Sequence, residues 1–598
     1  MTWRETFHLI KSDIKRRAYS DGRKPYWSSY LTLAMSPQGM TVIIIRLQRY
    51  FYCRGLYIIS KILAVLNIIM FSTEVHPQCE ISEGFMIGHA SGVIIHGNAR
   101  IGKNCILMHQ CTLGIKEVEN IPLSEVHVVL GDEVIVGAGA RIMGNISIGH
   151  HSQIGMNAMV IKSFPPYSVI VGVPARQIKA ISPDTSAPID YRDSLKPIDN
   201  SIASPKKSLP NTFRLIREDL IYLSYVNGKS FNWTNYLKFI LDPSAFSVVI
   251  FRFSHWLDGI GLRLLARILL FLNLVLFKVE IGVSADIAGG LVIGHANGVI
   301  INSRAKIGKN CIFFHHNTVA IAPRQNYDPL RDMVVIGDNV VFGAGARVVG
   351  NIEIGDNCRI GMNAVVNRSL PPNAIAVGIP ARVVKILSED YLTRKANNHA
   401  LETLNGRLNH HQVTFRQTLR LIKADLLYRT QLEGKKLNFF YCLKLILNPP
   451  ALVVIIFRFQ TWFYDAGLYL LANLLYLINI LLFSCDFQTG AEIEGGLVVS
   501  YANGIIIHSK AKIGKNCILM FHNSITIGPL LEMDPVNDRV ILEDNVMVGG
   551  GARIIGNITI GHHTNIGMNA VVTRSAPPYA VLTGVPAKDR RNYPEKKG

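Results

Sequence analysis

Aliphatic residues recur at every sixth position through much of this chain, as Leu130, Val136, Ile142, Ile148, Ile154 and Val160 and, earlier, as Ile95, Ile101, Leu107 and Leu113. A small residue often follows, as at Gly131, Gly137 and Gly149. This period suits neither an amphipathic helix at 3.6 residues nor a hairpin strand at 2, whereas hexapeptide repetition marks the coils of a parallel β-helix. Three such strands make one triangular turn, with the aliphatic residue pointing inward.

A much longer period is laid over the short one. Thr6-Phe7-His8-Leu9-Ile10 returns 206 positions later as Thr212-Phe213-Arg214-Leu215-Ile216, and again as Thr418-Leu419-Arg420-Leu421-Ile422. The same shift relates Pro37, Pro243 and Pro449, then Arg46, Arg252 and Arg458, then the small-residue runs at Gly137, Gly343 and Gly549. The chain therefore reads as three tandem copies of one unit, at 1–183, 208–390 and 414–598, joined by polar linkers at 184–207 and 391–413. Within each copy the opening part reads as helices, including the apolar stretches Phe246 to Phe253 and Leu262 to Phe277, and the rest as coil. The expected fold class is mainly β with α: an N-terminal helical region followed by a parallel β-helix, three times.

With 49% hydrophobic and 17% charged residues the chain is not disordered, and nine cysteines in 598 residues exclude a disulfide-stapled scaffold. Cys105, Cys311 and Cys517 recur at one equivalent place, as packed reduced thiols would, and no metal is expected. The N-terminus carries charges through Arg17 and no signal-like apolar stretch, so a cytoplasmic location is expected, with peripheral contact at the inner face of a membrane open. A net charge of +20 favours anionic partners, and with no recognition motif for nucleic acid the phosphates of a small molecule are the expected ones. Ala466 to Cys485 is uncharged over a spanning length, but its counterparts contain Lys61, Arg263 and Arg267, so packing of the helical regions against one another, or further self-association through them, is expected instead.

The hexapeptide series, the ending Pro165-Pro166 with Gly172-Val173-Pro174-Ala175-Arg176, and the segment from Glu74-Val75-His76-Pro77 to Gly88-His89-Ala90-Ser91-Gly92 resemble serine acetyltransferase, among the left-handed β-helix acyltransferases. That family forms trimers with active sites near subunit boundaries, so the resemblance implies an intramolecular pseudo-trimer. It also implies acetyl-CoA as cosubstrate, held by Gly137, Ala138, Pro174 and Arg176, and catalysis by His89, Glu74 and His127, with Asp21 as a substrate contact. A neutral imidazole is suited to take a hydroxyl proton near pH 7, and an acid beside it fixes the tautomer. His109, His150 and His151 read as solvated corners.

The copies are unequal. Shifting Glu74, His89 and His127 gives Glu280, His295 and Met333, then Asp486, Tyr501 and Arg539, so only the first copy keeps all three, and His295 with Glu280 form a possible second site. The acceptor also departs from the family pattern. Gly88 replaces the acid before the histidine and Val126 the arginine before the second histidine, which removes two charged contacts to an amino acid. The leading expectation is an O-acetyltransferase acting on a surface-polysaccharide sugar or its precursor. The alternatives are serine O-acetyltransferase and an inactive β-helical scaffold.

Overall fold

The computed structural model describes residues 1–20, 27–115, 122, 125–180, 208–228, 242–321, 333–388, 413–435, 438–446, 448–527 and 538–591. Asp21 and nearly all of both linkers lie outside the described residues.

Helices open each repeat. Repeat one has Trp3–Ser20, Trp27–Ala34, Pro37–Cys53 and Tyr57–Phe71; repeat two has Leu209–Val226, Pro243–Gly259 and Arg263–Phe277; repeat three has Phe415–Leu432, Phe439–Ile446, Pro449–Asp465 and Tyr469–Phe483. The recurring proline stands at the first helical position, where its missing N–H costs nothing. Before it, the Ser36 hydroxyl accepts from the Gly39 N–H and the Asp242 carboxylate from those of Ser244 and Ala245. The apolar stretch from Ala466 to Cys485 is helical only over Tyr469–Phe483, and among the described residues no helix is long and apolar enough to cross a membrane.

The coil follows. In every repeat, strands of mostly two or three residues stack into three sheets of five, four and six strands. Pairing is parallel until a closing antiparallel hairpin, Ser168–Gly172 with Ala175–Ala180 in repeat one. The register explains the period of six: Leu130 lies beside Ile148, Val136 beside Ile154 and Ile142 beside Val160, so three hexapeptides complete one turn. All six of these aliphatic residues are buried, and the intervening side chains turn outward, as at Ser147. Gly137 sits at a corner where a Cβ would lie 2.7 Å from the Ile154 carbonyl oxygen, so no larger residue fits between turns.

A buried ion pair docks helices onto the coil in each repeat. Arg46 Nε is 2.8 Å from Asp13 Oδ2, while its other nitrogens donate to the carbonyls of Ile81 and Ser82, and Asp13 accepts from the Phe85 N–H. Asp219 with Arg252 and Asp425 with Arg458 repeat this arrangement. Every charge is met by several hydrogen bonds, which offsets its removal from water. Cys105, Cys311 and Cys517 are buried free thiols, pushed up by burial to about 11, 12 and 11, as expected of packing residues.

The chain forms two compact units. Of the described residues, the first comprises those of repeat one with Phe271–Glu280 and Ile321, so it takes the end of a helix and the first acid of repeat two. The second holds the remainder of repeat two and all of repeat three. Inside this second unit the two repeats meet through buried polar groups: the Arg553 guanidinium donates to His315 Nε2 at 3.1 Å and His316 Nδ1 at 3.0 Å, and Asn363 donates to the Asn569 carbonyl. Burial, then Arg553 beside His315 and chiefly His522 beside His316, holds both imidazoles well below the usual histidine range.

Candidate active site

His89 follows the Met86–Ile87 strand, at a corner of the first repeat's coil. Its Nδ1 lies 3.0 Å from Oε2 of Glu280, the acid that opens the coil of repeat two, and both side chains are partly exposed. Glu74 therefore does not orient this histidine, contrary to the expectation. It stands on the first strand of repeat one, its carboxyl pushed up to about 7 by burial. Burial disfavours the His89 imidazolium, but the charge and hydrogen bond of Glu280 outweigh it and hold the group above its ordinary value. The same pairing holds Glu280 below the usual carboxylate range in spite of its burial. With the proton on Nδ1 held by Glu280, the lone pair of Nε2 is left for a hydroxyl proton.

His109 corrects another expectation, for it is fully buried and packs edge-on against His89 with ring centroids 5.3 Å apart. His150 is exposed and His151 partly so. His127 lies just before the Val128–Leu130 strand, on another face of the coil, where its Nδ1 faces the Asn98 carbonyl at 3.2 Å. Among the cofactor candidates, Gly137 and Ala138 are buried in a corner, while Pro174 and Arg176 are exposed at the closing hairpin.

A second dyad lies within the second unit. His295 Nδ1 is 2.8 Å from Asp486 Oδ2, so the expected pairing of His295 with Glu280 is replaced by one with the acid of repeat three. Each histidine thus takes its carboxylate from the next repeat. The other oxygen of Asp486 accepts from the Tyr476 hydroxyl at 3.0 Å. Burial opposes the charged form of His295, yet the hydrogen bond and charge of Asp486, and then the charge of Asp242, raise it above the ordinary value. Neither Tyr476 nor Asp242 was singled out in the sequence, and neither carries a family signature that could have drawn attention to it.

This dyad opens into a cavity of about 770 Å³. One wall follows successive rungs of repeat two through Ile293, Phe314, Gly343, Ile360 and Val377, and the facing wall follows repeat three through Ile506, Thr526 and Ile555. At about 4.8 Å per rung, five rungs make a trough about 19 Å long. Gly343 and Pro586, the counterparts of Gly137 and Pro174, line it, and its surface is mostly apolar. Such a trough can hold an extended chain with its reactive end at the imidazole. Among the described residues no cluster of three or more metal-ligating side chains occurs.

The space before each histidine is also taken. A Cβ on Gly88 would lie 2.4 Å from the Met108 sulfur, and one on Gly294 would lie 2.7 Å from the Phe314 ring. Val126 is buried.

Comparison with known proteins places these features in context. The family model for the bacterial transferase hexapeptide (six repeats) matches residues 333–368. Serine acetyltransferase of Mycobacterium tuberculosis is 36% identical over 147 residues, 25% of this chain and 63% of that enzyme, so the chain spans just under two thirds of its length. That of Staphylococcus xylosus is 30% identical over 161 residues, 27% of this chain and 73% of that enzyme. A crystal structure of Neisseria gonorrhoeae serine acetyltransferase in complex with serine aligns with a TM-score of 0.27 at 27% identity, over 30% of this chain and 70% of that one. On this likeness, the chain belongs to the serine acetyltransferase family of hexapeptide-repeat acyltransferases.

Proposed function

We propose that this protein is an acetyl-CoA-dependent O-acetyltransferase in which His89, oriented by Glu280, removes the proton of an acceptor hydroxyl. The observation that carries this reading is the hydrogen bond of 3.0 Å between His89 Nδ1 and Glu280. As the hydroxyl oxygen attacks the thioester carbonyl, Nε2 takes its proton; the carbon–sulfur bond then breaks and the imidazolium returns a proton to the leaving thiolate. The carboxylate of Glu280 stabilises the imidazolium between these steps. The trough at the corresponding pair of repeats two and three, His295 with Asp486, supports acetyl-CoA as the cosubstrate of this fold, since its length and apolar walls suit a pantetheine arm.

The acceptor favoured here is a sugar hydroxyl of a surface polysaccharide or its lipid-linked precursor. Supporting it, Met108 fills the space an acid at position 88 would need, and Val126 is buried where the family places an arginine. A precursor on a lipid also suits a basic protein that works in the cytoplasm against an anionic membrane surface, and Ile58, Leu264 and Leu470 present equivalent exposed apolar side chains on their helices. Serine remains the second reading, because the relatives named above are serine acetyltransferases.

Release of CoA from acetyl-CoA by purified protein, with and without L-serine or a sugar acceptor, tests both readings against His89→Ala. Sugar-dependent release that falls in the variant is the expected result. Serine-dependent release lost in the variant establishes the second reading, and release unchanged by His89→Ala overturns the assignment of the base.

A further inference from the structure

We infer that the cavity of the second compact unit is a second acetyl-transfer site, and that it takes a hydroxyl acceptor lacking a carboxylate. The inference rests on the reading of the chain as an acetyltransferase. Its chemistry is carried by His295, whose Nδ1 is held by Asp486 and whose Nε2 is left to accept the hydroxyl proton. The acceptor oxygen bonds to the acetyl carbon, the thioester carbon–sulfur bond breaks, and the imidazolium proton passes to the departing thiolate, giving an ester and CoA.

Charge at this end of the cavity is one-sided. Asp486 is fixed on both oxygens, by His295 and by Tyr476, a residue whose counterparts in the other repeats are Ala64 and Leu270. Asp242 is exposed beside it; its Oδ1 accepts from the N–H groups of Ser244 and Ala245, and its charge reaches both His295 and Asp486. Among the described residues that line the cavity, Arg359 is the one lysine or arginine. It stands on the fourth rung counted from the strand before His295, about 14 Å along the coil, and its Nη1 donates to the Asn339 carbonyl. An acceptor carboxylate at the imidazole would face two carboxylates and, among the described residues that line this end of the cavity, no lysine or arginine. An ammonium or a neutral group meets no such repulsion, and Val226 and Ile480 add apolar wall.

The pair 2-aminoethanol and L-serine isolates the point, because they differ only in the carboxylate. In the His89→Ala protein, which leaves the second site as the working one, CoA release from acetyl-CoA should show a kcat/KM at least about tenfold higher with 2-aminoethanol than with L-serine. Adding His295→Ala should abolish it. Tyr476→Phe keeps the ring and removes the hydroxyl; more of the Asp486 charge then falls on His295, so turnover should slow while the midpoint of its pH profile moves up. Equal or better use of L-serine overturns the acceptor class. Release with 2-aminoethanol in wild type but none in His89→Ala, or release insensitive to His295→Ala, overturns the second site alone. No release by wild type with any hydroxyl acceptor, sugars included, overturns the underlying reading as well.

Discussion

His89 meets Glu280, an acid 191 residues further along the chain, and His295 meets Asp486 across the same interval of 191. Each histidine–carboxylate pair is thus assembled from the histidine of one repeat and the acid of the next. Substitution of the two acids should separate them. Glu280→Gln removes the charge that stabilises the His89 imidazolium and should lower kcat by about 10²-fold or more, within the range of general-base effects. Glu74→Gln should cost at least about tenfold less than that, measured by CoA release with the working acceptor.

The pH profile has a definite sign. Glu280 raises His89 above its ordinary value, so the free base needed for catalysis is lost as pH falls through that raised value. Activity should rise with pH through a midpoint above 6.5, and Glu280→Gln should bring the midpoint down. In stability the sign reverses: the His89 contribution is complete below about 6.5 and is lost as pH rises through the raised value. Thermal melting across pH 6 to 8 of wild type against His89→Ala tests the second statement.

Lys278 offers a separate test in the first unit. It occupies the left-handed position after the Arg263–Phe277 helix, where the other repeats have Ser72 and Ser484, and its ammonium donates to the carbonyls of Ile69 and Val275. It therefore ties the C-terminal ends of two helices. Burial pushes it down to about 7. Between about pH 7 and 10 the unfolded chain binds the proton that the folded chain has released, so this group makes stability increase with pH over that window. Lys278→Met should abolish that slope and, by leaving carbonyls unpaired, cost about 1–3 kcal/mol at pH 7. Denaturant titrations at three pH values would show it.

Removing one member of a buried ion pair leaves the other charged and unpaired. Arg46→Met should therefore destabilise by about 3–5 kcal/mol, far more than loss of an exposed pair such as Arg100 with Glu80. Chemical denaturation of Arg46→Met and Glu80→Gln compares the two directly.

Much of the coil was legible because its rule is local. A residue every six positions must return to the same face of a triangular turn, and Leu130 through Val160 are buried accordingly. Arg46 and its counterparts were visible as landmarks, although their partner Asp13 was not, since the two meet only when a helix folds back over the coil. The dyads were half legible. Histidine and acid could be found by motif, but their pairing depends on the contact between successive repeats, which no spacing within a repeat encodes. The same holds for His109, whose corner would be solvated were its ring not packed against His89. Gly88 was readable as a missing acid; that Met108 occupies the vacated space was not.

Since each dyad draws on two successive repeats, repeat two carries two separable inheritances, His295 offered forward and Glu280 offered backward. In an assembly of identical subunits one mutation alters every site at once. Here a single codon can change one half of one site and spare its copies, as Tyr476 beside Asp486 has no echo at Ala64 or Leu270. Covalent linkage converts a symmetric design into one whose sites can be edited independently.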